Sequence, residues 1–240
     1  MAIEGKGLEI RIGARTLLHP TDFHVSAGDK IGLVGRNGAG KTTLTRVVTG
    51  DMLPSAGSVR VSGKLGYLPQ DTHASDPRQT ALDRMMSARD IASIITRLRK
   101  AETGMSDPDP DVMTAAMGRY DRAMQDFEKA GGYAAQSEAI AMATSLGLPQ
   151  EVMQRALGTL SGGQRRRVEL ARILFSDADT LILDEPTNHL DADSIEWLRG
   201  YLRRFNGGFL VISHSTELLD EVVNKIWHLD AQRGQIDMYS

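Results

Sequence analysis

A glycine-rich segment in the first quarter of the chain has the residue types and the surroundings of a phosphate-binding loop. Residues 35–42 read Gly-Arg-Asn-Gly-Ala-Gly-Lys-Thr, after an apolar run ending at Val34 and before a predicted helix. The backbone amides of such a loop form an anion nest, the helix N-terminus adds positive potential, and the lysine reaches the terminal phosphates. The alternative is a glycine-rich turn without a ligand. The predicted phosphate contacts of this segment, called the phosphate loop below, are Gly35, Asn37, Gly38, Ala39, Gly40, Lys41, Thr42 and Thr43.

An acid pair far along the chain supplies the matching chemistry. Asp184 and Glu185 follow the apolar run 181–183, at the carboxyl end of a predicted buried strand, where open α/β sheets bind ligands. A Mg²⁺ ion that bridges two phosphates needs a carboxylate besides the Thr42 hydroxyl, which fits Asp184. Glu185 is then the candidate general base for an attacking water. The alternative is an acid pair that only caps the next helix, since Pro186 marks a turn there.

Two more polar residues lie where predicted strands end. Gln70 closes the segment Gly-Tyr-Leu-Pro-Gln at 66–70, and His214 follows the apolar run 209–212. Gln70 can touch both a metal-bound water and the substrate, and His214 can hydrogen-bond a terminal phosphate and sense its loss. Taken singly, a loop glutamine is usually solvated and a strand-end histidine is usually structural. The predicted catalytic residues are Glu185, His214, Gln70 and Lys41, and the predicted metal ligands are Thr42, Gln70 and Asp184.

A second glycine-containing element, Leu-Ser-Gly-Gly-Gln at 160–164, precedes another predicted helix. Ser161 is a natural N-cap for that helix. It is either only a cap, or part of a second anion site built from its hydroxyl and the amides of Gly162, Gly163 and Gln164. One chain cannot fill both halves of one active site if the two elements lie on opposite edges of the domain.

Composition narrows the class of protein. The chain has 240 residues, 41% of them hydrophobic and 25% charged, which fits one large globular domain or a domain with an insert. The net charge of −3 gives no global basic excess for nucleic acid, so any such contact must be local. The absence of cysteine excludes disulfides and thiolate metal sites. No apolar run is long enough to span a bilayer, and the start lacks a secretory signal profile, so we expect a cytoplasmic protein that is not embedded in a membrane.

Hydrophobic periodicity predicts the elements that position these residues. Residues 8–12 alternate between apolar and charged, as in a strand with one wet face, whereas 31–34, 181–183 and 209–212 are continuous apolar runs typical of buried parallel strands. Each continuous run is followed by a helical pattern, within 41–49, 193–205 and 216–223. Repeated strand-then-helix units favour a parallel α/β sheet.

Residues 71–158 differ from the rest of the chain in composition, since they are rich in Ala, Met and Arg and poor in strand-forming residues. This segment predicts an inserted helical subdomain, which leaves 1–70 and 159–240 as the nucleotide-binding core. Asp109 as N-cap and Pro110 at the first turn predict a helix that ends at Gly131-Gly132. Its apolar stripe predicts a buried seam of Met113, Met117, Tyr120, Met124 and Phe127. The preceding helical pattern and the break at 106–110 predict a helical hairpin.

The order of these elements resembles that of ATP-binding cassettes. Residues 184–191 read Asp-Glu-Pro-Thr-Asn-His-Leu-Asp and resemble the form typical of the ABC-F family, soluble twin-cassette ATPases that act on the ribosome. Further matches are 131–133, 196–198 and 234–239, so the likeness covers nearly the whole chain and is to the first cassette of that family. The implied fold is α/β: a P-loop NTPase core with a mainly parallel sheet, an N-terminal antiparallel β subdomain and the inserted helical subdomain.

The resemblance also implies cofactors and partners. ATP and Mg²⁺ are expected, and a second cassette is expected to pack head to tail, either from the same full-length chain or in a homodimer. Residues 161–164 would then cover the nucleotide held by the partner cassette. The chain would be a fragment of a twin-cassette ATPase that acts on the ribosome and its RNA, in translation regulation or antibiotic resistance. The alternatives are the ATPase subunit of a membrane transporter and a clamp that binds ATP without useful turnover.

Three departures from the family pattern bear on function. Ile12 occupies the position where many cassettes stack an aromatic ring on adenine, and Ser215 follows His214 where aspartate is usual. The third concerns the insert, whose role as a ribosome-contacting arm is open. Its first part carries a basic run that is either a solvated face or a contact for ribosomal RNA phosphates. That run comprises Arg78, Arg84, Arg89, Arg97, Arg99 and Lys100 against Asp83 and Asp90.

Overall fold

The computed structural model describes residues 2–70, 76–89 and 91–240. The chain forms two compact units, one of Met1–His73 with Asp177–Ser240 and the other of Ala74–Ser176. The first unit contains the strands: Ile3–Ile12 (β1), Arg15–Val25 (β2), Lys30–Val34 (β3), Ala56–Val61 (β4), Leu65–Leu68 (β5), Thr180–Asp184 (β6), Gly208–Ile212 (β7), Lys225–Asp230 (β8) and Gln235–Tyr239 (β9).

The larger sheet of the first unit has the order β5-β6-β7-β3-β8-β9. All neighbours in it run parallel except β8 and β9. Strands β6 and β7 are buried along their whole length, which explains why their sequences are continuously apolar. The predicted α/β fold with a mainly parallel sheet is confirmed.

The smaller sheet of the first unit has the order β2-β1-β4 and is antiparallel throughout. Strands β1 and β2 form a hairpin whose last pair is Ile12 opposite Arg15. Alternation along β1 puts Leu8 and Ile10 in the core. The predicted antiparallel β subdomain is therefore present.

The described part of the first unit also contains three helices: Lys41–Val48 (α1), Ala192–Arg204 (α7) and Thr216–Val222 (α8). The Asp191 side chain caps α7 by accepting a hydrogen bond from the Ser194 amide, and the Ser215 hydroxyl caps α8 through the Leu218 amide. The residue that departs from the family pattern, Ser215, thus keeps the capping function that an aspartate would have.

The second unit consists of helices: Ala81–Met86 (α2), Ile91–Met105 (α3), Pro110–Lys129 (α4), Gly132–Ser145 (α5) and Gly162–Leu174 (α6), with 3-10 turns at Gln150–Gln154 and Leu157–Thr159. Helices α3 and α4 pack side by side as the predicted hairpin. Asp109 caps α4, as predicted, by accepting from the Asp111 amide. No helix in the described parts of the chain has both the length and the apolar character to cross a membrane.

The predicted seam along α4 is wrong in part. Met117 is 43% exposed, and the fully buried side chains of α4 are Ala116, Ala123 and Phe127. Small residues face the neighbouring helices because α3 and α4 approach closely: a Cβ on Gly104 would lie 3.0 Å from the Cβ of Ala116. Ala116 and Ala123, each one residue before a predicted methionine, are therefore buried in place of Met117 and Met124, while Phe127 is buried as predicted.

The boundary between the units also differs from the expected one. The expected insert ends at residue 158, whereas the helical unit extends to Ser176. The reason is packing, since α6 contacts α2 and α5 and buries Val168 and Leu170. The serine-glycine element therefore belongs to the helical unit and not to the core unit that contains the phosphate loop.

Most of the basic run in the helical unit is neutralised by acids of the same unit, which favours the structural interpretation over an RNA-binding face. Asp90 lies outside the described residues. The observed pairs are Arg78 with Asp76, Arg84 with Glu169, Arg89 with Glu138, Arg97 with Asp126 and Arg99 with Asp83.

Candidate nucleotide site

A pocket of about 660 Å³ in the first unit brings together most of the residues predicted to do chemistry. It lies where the carboxyl ends of parallel strands meet, as expected for an open α/β sheet. A groove of about 680 Å³ beside Tyr201 and Phe205 in the same unit contains none of the predicted residues. The predicted residues that line the 660 Å³ pocket are Ile12, Asn37, Gly38, Gly40, Lys41, Thr42, Thr43, Gln70, Asp184, Glu185 and His214.

The phosphate loop joins β3 to α1 through left-handed backbone. Gly38 and Gly40 have φ values of 74° and 105°, which favour glycine, and α1 begins directly after them at Lys41. The Lys41 ammonium folds back over the loop and donates to the carbonyls of Gly35 at 2.7 Å and Arg36 at 3.1 Å. The loop is thus held by its own lysine in a concave form with a helix N-terminus at its base.

Burial sets the electrostatics of Lys41. Desolvation lowers the pKa of its ammonium, and the carboxylates of Glu185 and Asp184 act in the opposite direction. The loop therefore holds a partly desolvated cation that is strongly attracted to a multiply charged anion.

The first member of the acid pair faces the first turn of α1. The Thr42 hydroxyl donates to Asp184 Oδ2 at 2.9 Å, and Asp184 is only 1% exposed. No group of three His, Cys, Asp or Glu side chains among the described residues is able to hold a metal ion by itself. A hydroxyl and one carboxylate that converge beside a phosphate loop fit Mg²⁺ nonetheless, because this ion takes few protein ligands and completes its shell with phosphate oxygens and water.

The second member of the pair is held in an unusual backbone conformation. Glu185 has a φ of 49°, uncommon for a residue with a side chain, and its amide donates to the Ile212 carbonyl at 2.9 Å. Such strain is often found at functional sites. Burial raises the pKa of the Glu185 carboxyl, the neighbouring Asp184 raises it further, and His214 lowers it. The His214 Nε2 lies 3.4 Å from Glu185 Oε1.

The serine-glycine element forms a complete helix cap in the second unit. The Ser161 hydroxyl accepts from the Gln164 amide at 3.2 Å, and the Gln164 side chain accepts from the Ser161 amide at 3.0 Å. Gly162 and Gly163 are the first residues of α6. The predicted cap is confirmed, and the predicted role in a second anion site stays a prediction.

The sequence analysis did not predict every residue that lines the pocket, and some residues that it predicted to contact phosphate do not line the pocket. Arg15, Leu17, Asn188 and Ile212 also line the pocket. The turn at 13–14 is the signal that would have placed Arg15 opposite Ile12. Gly35 and Ala39 do not line the wall, and Ala39 is the fully buried residue of the loop.

Comparison with known proteins agrees with this geometry. The family profile described as ABC transporter matches residues 18–188, which is most of the chain and includes both the phosphate loop and the acid pair. The chain belongs to the ABC transporter family. It is a cassette of this ATPase family, as the resemblance implies.

Curated relatives of this ABC cassette include members of the ABC-F type. The chain is 35% identical over 230 residues to the tylosin resistance ATP-binding protein TlrC of Streptomyces fradiae, covering 94% of the chain and 42% of that protein. It is 37% identical over 226 residues to the energy-dependent translational throttle protein EttA of Escherichia coli K12, covering 92% and 39%. The cassette thus spans about two fifths of the length of these relatives.

Solved structures show the same fold. The ATP-binding subunit of an ABC transporter matches with a TM-score of 0.73 at 18% identity, over 100% of this chain and 90% of that one. A bacterial ABC transporter cassette whose structure is described as dimeric matches with a TM-score of 0.70 at 18% identity, over 99% and 98%.

Proposed function

We propose that this cassette hydrolyses ATP by attack of water on the γ-phosphate. One observation carries the proposal: the sheet brings Asp184 and Glu185 to the phosphate loop, where the Thr42 hydroxyl meets Asp184 at 2.9 Å. Cation, hydroxyl, metal-binding carboxylate and base then border one pocket, which is the set that phosphoryl transfer to water requires.

Each side chain has a role that follows from its position. Lys41 binds the terminal phosphates, and Thr42 with Asp184 would hold Mg²⁺, which neutralises charge on the phosphates when bound. Glu185 accepts a proton from the attacking water, a role that suits a carboxyl whose pKa is raised by burial. His214, 3.4 Å from that carboxylate, orients it and contacts the terminal phosphate.

Binding to the phosphate loop can be tested directly. Replacing Lys41 with Ala is expected to weaken Mg-ATP binding by roughly 10- to 100-fold, the value of a charge-assisted hydrogen bond. Isothermal titration of the purified chain measures this loss. Lys100→Ala on the exposed side of α3 is the matched control and should bind as the unaltered chain does. Equal affinity of the two variants would remove Lys41 from the phosphate site.

A second cassette completes the proposed site. The cap at Ser161 leaves the first amides of α6 and its positive end available to an anion, and the solved cassette described as dimeric has the same fold. We propose that Ser161, Gly162, Gly163 and Gln164 of one cassette cover the nucleotide of the other, head to tail. The γ-phosphate then binds both cassettes together, and hydrolysis releases them.

We further propose that the full-length protein acts on the ribosome in the cytoplasm. The support is the segment at 184–191 and the two relatives, one named for a translational throttle and one for tylosin resistance. Because the arginines of the helical unit are paired with acids, this proposal does not depend on that basic run.

The test is ATP-dependent co-sedimentation. Full-length protein with Glu185→Gln is expected to sediment with ribosomes when ATP is present and to stay in the supernatant without it. The same protein with Lys41→Ala added should stay in the supernatant in both conditions. Recovery of the trapped protein with a membrane permease instead of ribosomes would contradict the ribosomal proposal and support the transporter alternative.

A further inference from the structure

The wall of the nucleotide pocket opposite the acid pair is formed by the β1–β2 hairpin. Ile12 and Arg15 are direct partners at the last pair of this hairpin, and both line the pocket together with Leu17. Leu17 is anchored against the phosphate loop, since a Cβ on Gly40 would lie 3.1 Å from its Cδ1. The hairpin tip is therefore fixed beside the phosphate loop as part of the same cavity.

The surface at this tip is poorly suited to hold a purine by aliphatic contact alone. Ile12 is 51% exposed, and the aliphatic residues Leu17 and Ile212 are buried and add little area to the wall. None of the described residues that line the pocket is Phe, Tyr or Trp, and its one imidazole, that of His214, lies beside Glu185. A planar base needs a flat partner to gain stacking energy, which a branched aliphatic edge does not supply.

Arg15 supplies a flat group at this place. Its side chain is exposed, and within the described parts of the chain it makes neither an ion pair nor a hydrogen bond, unlike the paired arginines of the helical unit. A guanidinium is planar, delocalised and weakly hydrated, and it stacks on aromatic faces. Side chains directly opposite on an antiparallel pair are about 5 Å apart at Cβ, so Ile12 and Arg15 form one continuous surface.

We propose that Arg15 determines how this cassette holds the base: its guanidinium stacks on the purine of bound ATP, with Ile12 beside it. The inference rests on the proposed nucleotide function and adds the residue that contacts the base. The alternative role for an unpaired arginine in this pocket is a contact with phosphate. In that case the loss of Arg15 would also weaken the binding of a ligand that has phosphates but no base.

The experiment titrates the purified chain with Mg-ATP and with inorganic triphosphate in the presence of Mg²⁺. Arg15→Ala and Arg15→Lys are both expected to weaken ATP binding by about tenfold while triphosphate binding is unchanged. Arg15→Tyr is expected to restore ATP affinity, because a ring replaces the guanidinium plane. Arg11→Ala is the control, because Arg11 is an exposed arginine of the same hairpin that does not line the pocket. This variant should bind both ligands with the affinity of the unaltered chain.

Several outcomes would overturn the proposal. If Arg15→Lys keeps the original affinity while Arg15→Ala loses triphosphate, Arg15 binds phosphate and not the base. If Arg15→Ala binds ATP with the affinity of the unaltered chain, Arg15 contacts neither the purine nor the phosphates. If the unaltered chain binds neither ligand, the proposed phosphate site is wrong. That outcome is distinct from one in which ATP binds but Arg15 does not contact the base. Thermal unfolding of each variant checks that the chain is still folded.

Discussion

Replacing Glu185 with Gln is expected to lower ATP hydrolysis by roughly 10²- to 10⁴-fold, the usual contribution of a general base. ATP binding should remain, because the amide keeps the size of the carboxyl, and Lys41 and the phosphate loop are unaltered. Phosphate release at saturating ATP measures the first effect, and titration with Mg-ATP measures the second. Full-length protein is the right material for the rate, since the proposed site is complete only with a second cassette.

The control for this variant is Glu128→Gln, which removes the same charge from an exposed position on α4. Its turnover should equal that of the unaltered protein. The pH dependence adds a second readout: the base acts in its ionised form, so the rate should fall as the pH drops through the raised pKa of Glu185. Unchanged turnover in Glu185→Gln would show that Glu185 is not the general base.

Replacing Glu169 with Ala is expected to destabilise the helical unit by about 3–5 kcal/mol, the cost of leaving buried charges without their partner. Glu169 is 8% exposed and binds two arginines: Arg84 at 2.5 and 3.0 Å, and Arg172 at 2.9 Å. Without the carboxylate, two largely buried guanidinium groups lose their partner. Urea unfolding followed by circular dichroism measures the loss.

The matched control is Asp126→Ala, which breaks the pair with Arg97 on the same unit. The side chains of Arg97 and Asp126 are 53% and 44% exposed, so this loss should stay below about 1 kcal/mol. If both variants lose the same free energy of unfolding, burial does not set the value of the Glu169 cluster.

The Glu169 cluster also predicts a dependence on pH. Burial acts to raise the pKa of Glu169, but the hydrogen bond from Arg84 and the charge of Arg172 outweigh it, so the pKa is lowered. A carboxyl with a lowered folded pKa contributes stability above its unfolded pKa, about 4.3, and loses that contribution as the pH falls through the folded value. The difference in free energy of unfolding between the unaltered chain and Glu169→Ala should therefore be largest near pH 7 and should shrink in strong acid.

Local sequence patterns predicted the parts of this cassette that depend on short-range physics. The phosphate loop follows from its glycines and from the strand and helix on either side. The caps at Ser161 and Asp109 follow from short side chains that accept from nearby amides. Strands β6 and β7 follow from continuous apolar runs, because buried parallel strands leave no face for water.

Long-range contacts set the features that the sequence did not predict. The buried face of α4 depends on how closely α3 approaches, and the pairing of the arginines depends on acids up to 85 residues away. The place of Arg15 in the pocket wall depends on the packing of the hairpin against the phosphate loop, where Leu17 contacts Gly40.

The amino-acid sequence by itself therefore determined which groups are available for phosphate chemistry and which elements carry them. The tertiary structure decided which of those groups meet: Thr42 with Asp184, and Glu185 with His214. The physical reason is that caps, loops and periodicity act over a few residues, whereas the meeting of distant side chains depends on sheet order and packing of the whole chain.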